Sequence, residues 1–256
     1  MRRFLACVLA LPMLAACGGA AASDDDATEL TVFAAASLTD AFGEAIGPGF
    51  EEANAGTTVT FNFAASDTLA GQIRSEGTAD VFASASGSWM DEVERESGVR
   101  GRADFLRNRL VIVTPVGNPA DIASIDDLAD DGVQLVLAAE GVPAGDYARE
   151  ALANAGIADE AEANVVSNEE DNAAVVAKVV AGEADAAIVY GSDVSAAAGN
   201  DLAAVVIPDD VNVVATYPIA VVEGSANADL AAAFIRYVLG PDGQTVFEEY
   251  GFLPVG

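Results

Sequence analysis

A repeated order leaves this chain few choices of fold. Short runs of apolar and β-branched residues give way to one or two small neutral residues, and an amphipathic stretch follows each run. Parallel strands need a crossover between them, so strand-then-helix alternation predicts an α/β fold with largely parallel sheets. Strands are expected over residues 30–35, 58–64, 80–85, 110–114, 134–138, 163–167 and 184–190, and near the end over 202–207, 211–215 and 217–222. Helices are expected over 38–50, 68–75, 88–97, 126–130, 147–155, 173–181, 228–239 and 244–250. No Gly/Ser/Pro-rich stretch separates two sequential domains. Two lobes would therefore require the chain to cross between them along strands, near 108–115 and 211–222. That expectation divides the chain into lobe one, 28–108 plus 217–256, and lobe two, 109–216.

Ahead of this body lies a targeting segment. Arg2 and Arg3 precede an apolar stretch too short to span a bilayer as a mature helix. Leu14-Ala15-Ala16-Cys17 then resembles a bacterial lipobox, which implies removal of residues 1–16 and lipid on Cys17. Residues 17–28 read as the lipidated cysteine and a small, polar tether. Cys7 leaves with the signal, so the folded part has no disulfide to draw on. The expected location is the cell envelope: lipid-anchored on the outer face of the cytoplasmic membrane, or periplasmic.

Composition removes several classes of function. The chain has 41 Asp+Glu against 11 Lys+Arg and a net charge of −30, the opposite of what a phosphate backbone or an anionic membrane surface attracts. No nucleic-acid partner is expected, and membrane contact is expected through the lipid only. There is no histidine, which rules out a Ser-His-Asp triad and any His-ligated metal. Lys178 sits mid-helix with no serine placed beside it, so a serine hydrolase also fails on inventory.

The informative residues lie where strands meet helices. The first two strands run into Ala36-Ser37 and Ala65-Ser66; later ones lead through Val142-Pro143-Ala144-Gly145 and through 168–172. A helix N-terminus carries unpaired N–H groups and about half a positive charge, which suits an anion. In open α/β sheets such turns gather at the carboxyl edge. Any one such serine also fits an ordinary N-cap. Asp40, Asp67, Asp146, Glu169, Glu170 and Asp171 stand near these turns. They are expected to be solvated first-turn acids, whereas an inward-facing Glu170 or Asp171 would suit a cation.

The segments VFAAASLTDAF, FNFAASDTLAGQI, ADVFASASGSWMDEV, NRLVIVTP, VPAGDYAREAL, AAIVYGSDV, YPIAVVEG and VFEEYGFLP, in this order, resemble the periplasmic molybdate-binding proteins of ABC importers. The resemblance runs along nearly all of the chain after the tether. It implies a type II periplasmic-binding-protein fold, with two α/β lobes and a ligand cleft between them. It further implies that molybdate or tungstate is held by serine hydroxyls, backbone N–H groups and one tyrosine hydroxyl, with no free metal cation and no cofactor. The matching positions are Ser37, Ser66, Ala144 (backbone N–H), Asn172 and Tyr190. At Asn172 this chain has EEDN where many members carry E-D-V, so either its N–H or its side-chain amide is open as the donor. Trp89 and Tyr147 are read as structural. The implied partner is an inner-membrane ABC permease, and a monomer is expected. The alternatives are a receptor for sulfate or phosphate, the latter needing an inward acceptor such as Asp67 or Asp171, or an adhesion lipoprotein.

Overall fold

The computed structural model describes residues 27–196 and 202–255; the signal, Cys17 and the tether up to residue 26 lie outside them. Strand β1 (Thr28–Ala35) carries Leu30, Val32, Phe33, Ala34 and Ala35, all buried. A run that is apolar on both faces belongs in the middle of a parallel sheet. β1 indeed lies between β2 (Thr57–Ala64) and β3 (Val81–Ala83), parallel to both. Helices α2 (Ser66–Glu76) and α3 (Gly87–Glu96) follow β2 and β3.

The predicted helix over 38–50 is not one helix. The chain makes a 3-10 turn at Ala36–Leu38, a π-helical turn at Ala41–Ile46, and then α1 (Gly47–Ala53). Pro48 has no N–H to give the carbonyl four residues back, so the ladder widens there. Gly47 and Gly49 press this segment onto its neighbours. A Cβ would come within 2.7 Å of the Phe61 ring at Gly47 and within 2.2 Å of the Tyr237 hydroxyl at Gly49.

Strand β4 (Val99–Pro115) is 17 residues long, a reach of roughly 55 Å at ~3.3 Å per residue. It joins two groups of strands. From Val99 to Arg109 it pairs antiparallel with β9 (Val214–Val222), which in turn pairs with β3. From Leu110 onward it pairs with β7 (Ala186–Tyr190) and β8 (Leu202–Val206). β5 (Leu135–Ala138) and β6 (Val165–Glu169) complete the second group, parallel to β7. The order is β2-β1-β3-β9-β4-β7-β5-β6, with β8 beside β4. Fold class is therefore α/β: two groups of parallel strands tied by β4, with β9 antiparallel beside its first half.

Three expectations need correction. β4 begins eleven residues before the predicted 110–114 run, because its first half is polar and solvent-facing and stays in the sheet by backbone pairing with β9. Residues 211–213 are not strand. Val211 and Asn212 donate their N–H groups to the Pro208 carbonyl, and the Asn212 amide pairs with both N–H and C=O of Leu110, standing in for a strand. Residues 163–167 are split between α5 (Ala158–Ala163) and β6; ADEAEA buries only Ala161 and has no apolar period to read.

The other helices are α4 (Pro143–Ala155), α6 (Asn172–Val180), α7 (Gly191–Ala196), α8 (Ala228–Leu239) and α9 (Pro241–Glu249). Under β1 sits an aromatic cluster: the Phe42 ring lies 5.7 to 6.1 Å from Phe61, Phe105, Phe234 and Phe247. Truncating such a buried ring costs about 3–5 kcal/mol. The cluster fixes the floor from which β1 delivers its C-terminal residues.

Candidate functional site

Every predicted site residue lies at the carboxyl end of a strand or the first turn after one. Ser37 follows β1, Ser66 follows β2, Ala144 follows β5, Asn172 follows β6, and Tyr190 ends β7. β1 and β2 belong to one strand group; β5, β6 and β7 belong to the other. All five residues line one small cavity of about 270 Å³ including its mouth. No Lys or Arg lines it, among the described residues.

Neither serine is a helix cap. The N-cap positions of the 3-10 turn, α2 and α4 are Ala35, Ala65 and Val142, which offer no side-chain acceptor. The first-turn N–H groups of these segments therefore have neither an intrahelical nor a capping partner. Ser66, buried, accepts the Ala85 N–H at 3.0 Å, which leaves its own proton to donate. The Ser37 hydroxyl lies 2.9 Å from the hydroxyl of Tyr217, a fully buried residue on β9. When Tyr217 donates to it, the Ser37 proton is free as well.

Tyr190 is the most telling residue. It is 2% exposed, and its hydroxyl, close to that of Tyr217, has no hydrogen-bond partner of normal geometry among the described residues. Burial, and then the neighbouring Tyr217, push its acidity well below that of a free phenol, so it stays protonated. Its ring stands edge-on to Tyr217, with centroids 5.9 Å apart. An unpaired buried hydroxyl is costly unless something in the cavity uses it.

α6 differs from the 3-10 turn, α2 and α4. Its N-cap, Asp171, accepts the Ala174 N–H at 2.9 Å. The Asn172 side-chain amide donates to Asp193 Oδ2 at 2.6 Å and is engaged away from the cavity, which leaves the backbone N–H of Asn172 as the donor available there.

The acids mostly sit as first-turn acids do. Asp146 accepts the Gly141 N–H, Glu169 accepts the Ser167 hydroxyl, and Glu170 is exposed. Asp67 departs from the expectation of a solvated carboxylate. Its Oδ1 is enclosed with no partner, and the residue does not line the cavity. Asp171 does line it, with Oδ1 turned back to cap α6. Among the described residues no cluster of acids is arranged to hold a metal ion.

Sequence reasoning passed over three contributors. Tyr217 meets Ser37 across 180 residues and the Ala85 N–H meets Ser66 across 19, while Asp193 lies three residues after Tyr190 in YGSD but takes its other bond from Asn172 on α6. Trp89, read as structural, also bridges the two strand groups: its Nε1–H donates to the Gly141 carbonyl at 3.0 Å.

Comparison with known proteins places the chain in a family. The family described as bacterial extracellular solute-binding protein matches residues 30–253. The molybdate-binding protein ModA of Mycobacterium tuberculosis is 38% identical over 227 residues, covering 88% of this chain and 85% of that one. ModA of Escherichia coli is also 38% identical, over 235 residues, covering 89% and 90%. In structure, the periplasmic molybdate-binding protein of Azotobacter vinelandii superposes with a TM-score of 0.77 at 17% identity, covering 89% of this chain and 100% of that one, which bears on the fold alone. The architecture is the type II periplasmic-binding-protein fold, and the chain belongs to the ModA family of bacterial extracellular solute-binding proteins.

Proposed function

We propose that this chain is an extracytoplasmic receptor that captures molybdate or tungstate through uncharged hydrogen-bond donors and hands it to an ABC permease. The observation that carries this reading is the Tyr190 hydroxyl, buried and unpartnered at a cavity where two serine hydroxyls meet the three uncapped starts of the 3-10 turn, α2 and α4 and the start of α6. Hydroxyls of Ser37, Ser66 and Tyr190 and the N–H groups of Ala144 and Asn172 are the donors.

A tetrahedral metal-oxide dianion has acceptors and no protons. A wall of donors satisfies it and rejects a protonated oxyanion, whose O–H would face another O–H or N–H. Hydrogen bonds to a charged group contribute about 1.5–3 kcal/mol each, so a full set offsets the cost of desolvation without any cation. Discrimination against sulfate then falls to cavity size, because the charge is the same. Phosphate would additionally need an acceptor for its proton, a part that only the second carboxylate oxygen of Asp171 could play among the described lining residues, since Oδ1 is turned back to Ala174.

In this reading residues 28–108 plus 217–256 form one lobe and 109–216 the other. The lobes turn about β4 and β9 and close on the anion. The Trp89–Gly141 bond is one of the contacts that closure makes. Cys17 carries the lipid, the protein acts as a monomer, and the permease reads the closed shape. Lys178 is engaged with Glu183 on the surface at 2.7 Å, which fits a binding role and no catalytic one.

The test is calorimetry on Ser37→Ala with Ser66→Ala. Loss of two charge-assisted bonds should weaken molybdate binding by about a hundredfold or more. Unchanged affinity in the folded double variant would refute the donor set.

A further inference from the structure

Asp193 does not line this cavity; it lines a neighbouring one that shares Ser37 and Asn172 with it and also holds Asp40. It is the third residue of α7 and is partly buried. Its Oδ2 accepts two bonds: Asn172 Nδ2–H at 2.6 Å and the Tyr190 backbone N–H at 2.9 Å. Those two residues are donors on the same side of the cavity, one opening α6 and the other ending β7. Neither bond involves the atoms assigned to the ligand: Asn172 keeps its backbone N–H and Tyr190 its hydroxyl.

We propose that Asp193 is the positioning residue of the anion site, a single carboxylate oxygen that locks the start of α6 to the end of β7 so that both donors point at one centre. The inference rests on the oxyanion reading above. A negative charge here is the wrong sign for a site that takes a dianion. Asp171 and Asp40 face the same carboxylate and add to the repulsion, and burial pushes its pKa up to about 7. A group so costly by charge is explained by its geometry. A carboxylate oxygen makes short, strong bonds to two donors at once, and an aliphatic residue would leave a buried amide and a strand-end N–H unpaired. The useful part of Asp193 is then its acceptor oxygen, and its charge works against the ligand.

That separation can be measured. Asp193→Asn keeps an oxygen for both bonds and drops the charge; Asp193→Ala drops both. Circular dichroism melts first establish that each variant is folded. Two readouts follow: hydrogen exchange at the Tyr190 amide in ligand-free protein, and calorimetric titration with sodium molybdate. In Asp193→Ala the Tyr190 amide should exchange about tenfold faster and molybdate affinity should fall about tenfold or more, the worth of a charge-assisted bond. In Asp193→Asn the amide should stay protected and affinity should equal or exceed that of the wild type. Wild-type behaviour of Asp193→Ala in both readouts would overturn the proposal, as would an Asp193→Asn variant impaired as badly as Asp193→Ala. A wild-type chain that takes up no oxyanion would sink the functional reading, and the Tyr190 exchange would then decide the positioning role by itself.

Discussion

Tyr190→Phe removes one oxygen and leaves the ring, so it isolates the hydroxyl on which the site depends. In the ligand-free chain that hydroxyl has no protein partner of normal geometry, and its loss should leave the melting temperature unchanged or slightly higher. Molybdate affinity should fall about tenfold, read by calorimetry. Asp193 makes a second prediction at this scale. Its carboxyl is raised to about 7, first by burial and then, against the bonds from Asn172 and Tyr190, by the charges of Asp171 and Asp40. A carboxyl raised in the folded state favours folding while protonated; that contribution is complete below the ordinary carboxylate range and is lost as pH climbs to about 7. Melting curves between these pH values should therefore show wild type losing ground to Asp193→Asn as pH rises, and parallel curves would contradict this. The turns at Ala36-Ser37, Ala65-Ser66, Val142-Pro143-Ala144-Gly145 and 168–172 were legible in the sequence because each follows an apolar run; the choice of Ser37, Ser66, Ala144, Asn172 and Tyr190 as donors is what the family resemblance implies. Tyr217 and Asp193 were not legible, because their roles come from partners far along the chain or on another element.

At the scale of elements, the start of α6 separates a backbone donor from a side-chain one. Asp171 at the N-cap is extended (φ −158°, ψ 173°), a conformation that tolerates a following proline, and the first helical position accepts one readily. Asn172→Ala keeps the N–H and loses the tie to Asp193; Asn172→Pro loses both. Affinity for molybdate should be about tenfold lower in Asn172→Pro than in Asn172→Ala. Equal affinities would remove the Asn172 N–H from the site. Gly145 shows why α4 can serve as it does: a Cβ there would sit 2.3 Å from the Ala138 carbonyl, so only glycine lets the helix start close over the end of β5. Helices with a clear apolar face, such as α3 and α8, were readable from their periodicity. The 36–53 segment was not, since Pro48 and its glycines override the helical pattern, and neither was the first half of β4, whose polar residues are held by pairing with β9 and by no pattern of their own.

Across the whole molecule, a body of net charge −30 surrounds a cavity whose lining carries no Lys or Arg. The long-range field opposes the ligand, and salt screens that field beyond about 8 Å at physiological ionic strength. The short-range donors work inside that distance. Strand-helix alternation was enough to foresee α/β architecture, whereas the pairing of β4 with β9 depends on register between segments about a hundred residues apart. The proposed function requires donors from both strand groups to meet at one centre that has no Lys or Arg in its lining. Anomalous diffraction at the molybdenum edge, from crystals grown with molybdate, tests it most directly. The predicted result is one peak per chain, ringed by the hydroxyls of Ser37, Ser66 and Tyr190 and the N–H groups of Ala144 and Asn172, with no cation beside it. A peak elsewhere on the chain, or one held by an arginine or a metal ion, would contradict it.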